Sequence, residues 1–177
     1  MSAASFPNKS ASADTSACPG RSKVCIQSEP FDPAEALDAL RCNDKGEPDP
    51  SIGALASFIG LVREFNEGDD VQALELEHYP GMTEKVIEDI LRQANERWPL
   101  NAIHVIHRVG LMTPTDLIVW VGAASAHREA ALQACAFVMD FLKTNAPFWK
   151  KEKRADGQMR WVSDRKSDYL AADRWKV

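Results

Sequence analysis

Two amphipathic helical patterns, set among strand-like segments, constrain the fold of this chain most strongly. Residues 83–98 and 125–144 carry apolar side chains at helical spacing, and each pattern stops close to a proline. Thr83 and Ser125 are expected to cap these helices, because a hydroxyl oxygen accepts hydrogen bonds from the free N–H groups of a first helical turn. Each helix then needs a sheet against which to bury its apolar face.

Strand-like segments surround both helices. They are predicted at residues 53–62, 71–78, 102–109, 117–124, 148–154 and 158–162. The first two are expected to pair as a hairpin, and the last two as a hairpin across an Ala-Asp-Gly turn. This order of elements predicts an α+β fold with helices packed on a mostly antiparallel sheet.

The two ends of the chain differ in character. Residues 1–23 are rich in Ser, Ala and small polar residues without periodicity, which predicts a disordered N-terminal extension. Residues 24–177 are predicted to form a single domain, since a chain of 177 residues fits one core plus tails. A short helix over residues 32–41, with Asp32 as its cap, is expected to precede a core at 51–162.

Composition narrows the possible classes of protein. No apolar stretch approaches the roughly 20 residues that span a bilayer, and the N-terminus lacks the apolar segment of a signal peptide. The four cysteines show no Cys-x-x-Cys pairing, so neither a metal site nor a redox pair is expected. Cys135 falls on an apolar helix face and is interpreted as a buried thiol. The predicted location is cytoplasmic, without a membrane interaction.

Charge is distributed unevenly along the chain. The net charge is −5, but residues 143–177 contain ten basic and five acidic residues. A local cationic region on an acidic protein favours an anionic ligand or an acidic partner over nucleic acid, which usually needs a basic domain. A solvated charged tail remains the alternative.

Two lysines flank the predicted reversal at residues 145–149. Lys143 ends the second long helix and Lys150 follows Phe148 and Trp149, so both amines are expected to approach one pocket. Amines in such a pocket can act as proton donors, bases or nucleophiles. Ordinary complementation of the helix dipole by Lys143 is the alternative.

Candidate anion ligands lie elsewhere in the sequence. His127 and Arg128 open a helix, where free N–H groups favour phosphate or carboxylate. Arg63 ends a predicted strand and Arg165 follows the last hairpin; either side chain can clamp a phosphate or remain solvated. His104 and His107 are interpreted as structural or surface residues.

Several segments, taken together, resemble one known family. They are FIGLVREFNEGDDV, LELEHYPGMTEK, IHVIHRVGLM, VGAASAHREAALQACAFVMDFLKTNAPFWKKE and RWV. These segments are similar to the large, catalytic subunit of molybdopterin synthase over about residues 51–162. The resemblance implies an α/β hammerhead-type fold with a C-terminal hairpin.

The resemblance also implies an activity and its partners. The large subunit forms a homodimer within a heterotetramer and binds a small ubiquitin-like subunit, whose Gly-Gly tail carries a thiocarboxylate. Sulfur passes from this tail to cyclic pyranopterin monophosphate, forming the dithiolene of molybdopterin in molybdenum cofactor biosynthesis. No cofactor is implied for this step.

The residues implied for this activity follow from the matching motifs. Lys143 and Lys150 correspond to the catalytic lysines. The substrate ligands correspond to Arg63, His127, Arg128 and, more weakly, Arg165. A non-enzymatic binding module for an acidic or ubiquitin-like partner is the alternative function, although such a module would not need this complete set of residues.

Overall fold

A computed structural model describes residues 21–66, 69–154, 159–162 and 166–176 of the chain. Over these residues the strands are β1 (Arg21–Gln27), β2 (Ala54–Leu61), β3 (Phe65–Asn66), β4 (Asp69–His78), β5 (Ala102–Arg108), β6 (Gly110–Met112), β7 (Leu117–Ser125), β8 (Phe148–Arg154) and β9 (Met159–Val162). The helices are α1 (Pro33–Leu40), α2 (Met82–Arg97), α3 (Arg128–Thr144) and α4 (Lys166–Asp173). The prediction of an α+β fold is confirmed.

The first sheet has the strand order β1-β5-β7-β2, with β1 parallel to β5 and the other pairs antiparallel. Neighbouring residues of a strand point to opposite faces, and each face is covered. Ile103, Val105 and Val121 pack beneath α2 and α3, whereas Ala102 and Trp120 pack with α1 on the opposite face. Burial on both faces explains why β7 is apolar almost throughout.

The second sheet has the order β3-β4-β8-β9, with β6 also paired to β4. Its small core contains Val62, Leu74, Leu76 and Met112. The predicted hairpin of the last two strands is confirmed, since β8 pairs antiparallel with β9. Its turn, at residues 155–158, lies outside the described residues.

The predicted hairpin between residues 53–62 and 71–78 is wrong. β2 pairs with β7 along its length, while β4 pairs with β8 and β6 in the other sheet. The short hairpin is made instead by β3 and β4, whose partners include Phe65 and Asp70. Sequence proximity suggested the pairing, but the apolar β2 matches the apolar β7, whereas the alternating β4 suits a sheet with one covered face.

Helix capping was predicted correctly once and incorrectly twice. Asp32 caps α1 by accepting a 2.7 Å hydrogen bond from the Ala34 N–H. The caps of α2 and α3 are Gly81 and His127, so the expected caps Thr83 and Ser125 are wrong.

The hydroxyls of the two expected caps instead tie distant segments together. The buried Thr83 hydroxyl donates to the Pro147 carbonyl at 3.3 Å, and the Ser125 hydroxyl donates to the Pro99 carbonyl at 2.8 Å. Such long-range partners cannot be read from local sequence, where a hydroxyl beside a helix start predicts a cap.

Strand β1 begins at Arg21 and pairs with β5 from Arg21↔Ala102 to Gln27↔Arg108. It therefore contains the last three residues of the predicted 1–23 extension, while residues 1–20 lie outside the described part of the chain. Polar side chains at Arg21, Lys23 and Gln27 hid this edge strand from the hydrophobic pattern.

Helix α4 packs on α3 and is anchored by Trp175, which follows it. The Trp175 Nε1–H donates to the Asp140 carboxylate at 2.8 Å, and its ring meets those of Trp98 and Phe137 edge-on at 5.6 and 5.5 Å. This docking fixes the position of α4 beside the end of α3. No helix among the described residues has the length and apolar character to cross a bilayer.

Candidate active site

A pocket of about 580 Å³ lies where the two sheets meet. We call it the intersheet pocket. Its walls come from the end of β2, the start of β7, the last turn of α3, strands β4, β8 and β9, and the start of α4. A volume of this size suits a small-molecule ligand. The intersheet pocket contains three predicted site residues, namely Arg63, Lys143 and Lys150.

Lys143 reaches the intersheet pocket from the last turn of α3. Its side chain is 50% exposed, and its Nζ lies 3.9 Å from an oxygen of Asp168 on α4. Both side chains of this ion pair line the intersheet pocket. An exposed pair of this kind contributes little to stability, so its main effect is to restrict where the amine points.

Lys150 lies on β8, immediately after the reversal that follows α3. The Phe148 N–H donates to the Ala146 carbonyl at 2.8 Å within that reversal. Alternation along β8 places Phe148, Lys150 and Glu152 on the same face, and all three line the intersheet pocket. The structure thus brings Lys143 and Lys150 to one pocket by way of the short turn between them.

Arg63 follows the end of β2, and its exposed side chain lines the intersheet pocket. It adds a third cation to the pocket wall, with a planar group suited to phosphate. Arg165, the fourth predicted substrate ligand, lies outside the described residues.

His127 and Arg128 do not line the intersheet pocket. They are exposed at the N-terminal end of α3, whereas Lys143 is in its last turn. A helix of 17 residues is about 25 Å long. Within one chain, α3 therefore holds these two residues and Lys143 at opposite ends.

His107 is part of the intersheet pocket, although it was interpreted as structural or surface. It is 8% exposed, and its ring stacks on Phe148 with centroids 4.0 Å apart. Burial, with a smaller contribution from the nearby charges of Lys150 and His78, lowers its pKa to about 4, although the hydrogen bond to the Arg108 carbonyl opposes the shift. The imidazole is therefore neutral near pH 7.

Two acidic residues of the intersheet pocket were also missed. Glu152 is buried at 5% exposure on β8, and its spacing of two residues from Lys150 was the signal that could have identified it. Asp168 had no such signal, since it reaches Lys143 only because α4 docks on α3. The intersheet pocket therefore combines donors on Arg63 and the lysines with carboxylate acceptors.

Among the described cysteines, Cys25, Cys42 and Cys135 are free thiols. Cys135 is buried beneath α3, as predicted, and burial raises its pKa to about 11. A thiol with so high a pKa is a poor nucleophile near pH 7. No cluster of three or more potential metal ligands occurs in the described part of the chain.

Fold and pocket together define an α+β domain with a lysine-containing cavity between two sheets. The family model described as MoaE protein matches residues 26–145. The chain is 52% identical over 153 residues to the molybdopterin synthase catalytic subunit of Pseudomonas aeruginosa, covering 86% of this chain and 98% of that protein. The chain belongs to the MoaE family.

Solved structures agree with this assignment. The MoaE protein from Burkholderia ambifaria has a TM-score of 0.72 and 46% identity, covering 89% of this chain and 99% of that one. Molybdopterin synthase from Staphylococcus aureus has a TM-score of 0.69 and 31% identity, covering 78% and 95%. These relatives match the fold of the whole domain.

Proposed function

We propose that this chain is the catalytic subunit of molybdopterin synthase and transfers sulfur to cyclic pyranopterin monophosphate during molybdenum cofactor biosynthesis. The observation that carries the proposal is the meeting of Lys143 and Lys150 in the intersheet pocket, in a chain 52% identical over 153 residues to a catalytic subunit. Three cations on its wall suit an anionic substrate.

The sulfur comes from outside this chain. Cys135 is buried with a raised pKa, and none of the three described cysteines lines the intersheet pocket. The donor is the thiocarboxylate at the Gly-Gly tail of a small ubiquitin-like subunit, which enters the pocket beside the substrate. The name "catalytic subunit" of the relative fits an enzyme that needs a second polypeptide.

Chemistry in the intersheet pocket consists of orientation and proton transfer. The thiocarboxylate sulfur attacks a substrate carbon, an oxygen leaves, and water then cleaves the acyl–sulfur bond to release the tail as a carboxylate. Lys143 donates a proton to the leaving oxygen, while Lys150 and Arg63 hold anionic groups. Two such transfers form the dithiolene. An activated thiocarboxylate needs no cofactor for these steps.

Use of His127 and Arg128 for the same substrate requires a second copy of the chain. Among the described residues β2 is an edge strand, and it exposes Phe58, Ile59 and Leu61 by 42%, 37% and 49%. An apolar edge strand invites pairing with another chain. We therefore place the homodimer contact at β2.

Antiparallel pairing of β2 with the same strand of a second copy also brings the two groups of site residues together. One end of β2 is beside the start of α3, since Ala54 pairs with Ser125. The other end, at Leu61, lines the intersheet pocket. The two ends meet across a twofold axis, so Arg128 of each copy approaches the pocket of the other. Arg165 is proposed as a further ligand.

We further propose that the assembly is a heterotetramer of two such chains with two small subunits and acts in the cytoplasm. The free thiols of Cys25, Cys42 and Cys135 are compatible with a reducing compartment. Cell fractionation followed by immunodetection tests the location, and recovery mainly in a membrane or periplasmic fraction would contradict it.

The proposed activity is tested by incubating the purified chain with cyclic pyranopterin monophosphate and the thiocarboxylated small subunit. Mass spectrometry should show the mono- and disulfurated products, and omission of either protein should abolish them. Product formation at the same rate without this chain would support the alternative of a non-enzymatic binding module. The same mixture with an unmodified carboxylate tail is the matched control.

A further inference from the structure

His107 lines the intersheet pocket. It is at the end of β5, where the neighbouring strand β7 and the aromatic ring of Phe148 enclose it. Its Nδ1 lies 2.9 Å from the Arg108 carbonyl oxygen. A carbonyl only accepts, so Nδ1 carries the proton and Nε2 carries a lone pair.

The Nε2 lone pair has no hydrogen-bond partner in the part of the chain that the structure describes. Among the described residues, the hydrogen bond of His107 is the one through Nδ1. Nε2 is not among the fully enclosed atoms that lack a partner, so it keeps some exposure, and the residue lines the intersheet pocket. A buried polar atom without a partner is costly, and a ligand in the pocket can supply the missing hydrogen bond.

The imidazole is suited to accepting a hydrogen bond but not to carrying a proton. With a pKa of about 4, about one molecule in a thousand is protonated at pH 7. The neighbouring Lys150 charge and burial both maintain this neutral form. A general base would need a pKa nearer to the working pH.

The other groups of the intersheet pocket leave a role for a neutral acceptor. Arg63, Lys143 and Lys150 are donors only, and they fit the phosphate and oxygen atoms of a substrate. Asp168 faces Lys143 at 3.9 Å. The fused rings of a pterin also carry N–H donors, and a neutral acceptor binds these without adding negative charge beside an anionic substrate.

We propose that His107 is a substrate-binding residue, whose Nε2 accepts a hydrogen bond from a ring N–H of the pterin and thereby orients the ring. The stack on Phe148 and the bond from Nδ1 hold the imidazole in place for this contact. This inference rests on the proposed function, because the pterin is the ligand that supplies the N–H group.

Two variants distinguish the loss of the hydrogen-bond acceptor from the loss of ring packing against Phe148. His107→Phe keeps an aromatic ring against Phe148 but removes the acceptor, whereas His107→Gln retains an acceptor oxygen. His104→Gln is the matched control, because His104 is on the same strand with a pKa also lowered to about 4 but does not line the pocket. Binding of cyclic pyranopterin monophosphate is measured by calorimetry, with thermal unfolding to verify the fold.

His107→Phe should weaken binding about 5- to 50-fold, the range expected for one lost hydrogen bond with its donor left unpaired. His107→Gln should lose less than about fivefold on the same scale, and His104→Gln should bind like the wild type. Equal binding by wild type and folded His107→Phe would overturn the inference. Failure of the wild type to bind or convert the pterin would instead contradict the proposed function.

A measurement on the wild-type protein tests the same contact without depending on whether the variants fold. The ¹⁵N resonance of His107 Nε2 should shift to lower frequency when the pterin is added, as the lone pair accepts a hydrogen bond, while the His104 resonances stay in place. An unchanged His107 resonance at saturating pterin would also overturn the inference.

Discussion

The two ends of α3 carry the two groups of predicted site residues in different surroundings. Its C-terminal end places Lys143 in a pocket with Lys150, Asp168 and buried apolar groups. Its N-terminal end exposes His127 and Arg128 on the surface, about 25 Å away along the helix. The comparison supports the proposal that the C-terminal end of α3 carries the chemistry and that its N-terminal end completes the pocket of a second copy.

The largest effect is expected for Lys143, at the C-terminal end of α3. Lys143→Ala should lower the single-turnover rate by about 10²- to 10⁴-fold, the usual contribution of a general acid or base. Lys143→Arg should not restore it, because a guanidinium stays protonated. Lys150→Ala should impair turnover strongly, though less than Lys143→Ala, since it loses charge but not the proton donor.

The lysine variants are compared at saturating pterin and thiocarboxylated partner, with a binding assay for the partner. Lys85→Ala is the control, because Lys85 is an exposed lysine of α2 outside the intersheet pocket. A Lys143→Arg rate within about threefold of wild type would reduce this lysine to an electrostatic anchor and remove it from proton transfer.

A substitution at the N-terminal end of α3 should have a smaller effect, and this effect should be on the affinity for the pterin. Arg128→Ala should raise KM for the pterin about 10- to 100-fold, the range for a lost charged hydrogen bond, with a smaller change in kcat. Arg92→Ala is the matched control, since Arg92 is exposed and pairs with Glu96 and Asp89. An unchanged KM for Arg128→Ala would leave the N-terminal end without a role in substrate binding.

Lowering the pH should destabilise the protein because His107 is buried in the intersheet pocket with a lowered pKa. The pKa of His107 falls from 6.5 to about 4 on folding, so the unfolded chain takes up a proton first as pH falls. Stability conferred by the neutral ring is present above pH 6.5 and is lost as the pH falls towards 4. Between pH 7 and pH 5 the loss is about 2 kcal/mol.

Urea unfolding at pH 7 and pH 5 measures this loss in the free energy of unfolding. His107→Phe should show a decrease smaller by about 2 kcal/mol. An equal decrease in the free energy of unfolding for wild type and His107→Phe would contradict the lowered pKa of His107.

The smallest effect is expected at the N-terminus of the chain. Deleting residues 1–20 should leave the turnover rate unchanged. The free energy of unfolding should stay within about 0.5 kcal/mol of wild type, because a polar segment without periodicity buries little apolar surface. Deleting residues 1–27 should destabilise the protein, because it removes β1 and its parallel pairing with β5. Loss of sulfur transfer in a folded 1–20 deletion would show that the segment has a function.

Much of the fold could be predicted from the sequence because local patterns decide it. The periods of 3.6 and 2 identified α2, α3 and most strands, and Asp32 followed by Pro33 identified the start of α1. Strand pairing could not be predicted in the same way. β2 and β4 are neighbours in sequence but belong to different sheets, since pairing depends on which faces tertiary packing covers.

The candidate site likewise combines residues that local sequence identifies with residues that only tertiary contacts bring in. Lys143 and Lys150 were identified because the turn between them is short, so local sequence fixes their proximity. Asp168 and His107 were missed because α4 docking and the stack on Phe148 are tertiary contacts. The separation of Lys143 from Arg128 follows from helix length, yet the motif resemblance identified both residues without indicating that they lie at opposite ends of α3.

The most direct test of the shared site mixes two chains that are each impaired at pterin concentrations near the wild-type KM, where the raised KM of Arg128→Ala makes this variant slow. Lys143→Ala and Arg128→Ala variants are unfolded together, refolded to form mixed dimers, and assayed with the pterin and thiocarboxylated partner. If each pocket uses Lys143 of one copy and Arg128 of the other, a mixed dimer regains one intact pocket, and random mixing should restore about one quarter of wild-type activity. Activity no greater than that of the separate variants, with mixed dimers present, would contradict the shared site.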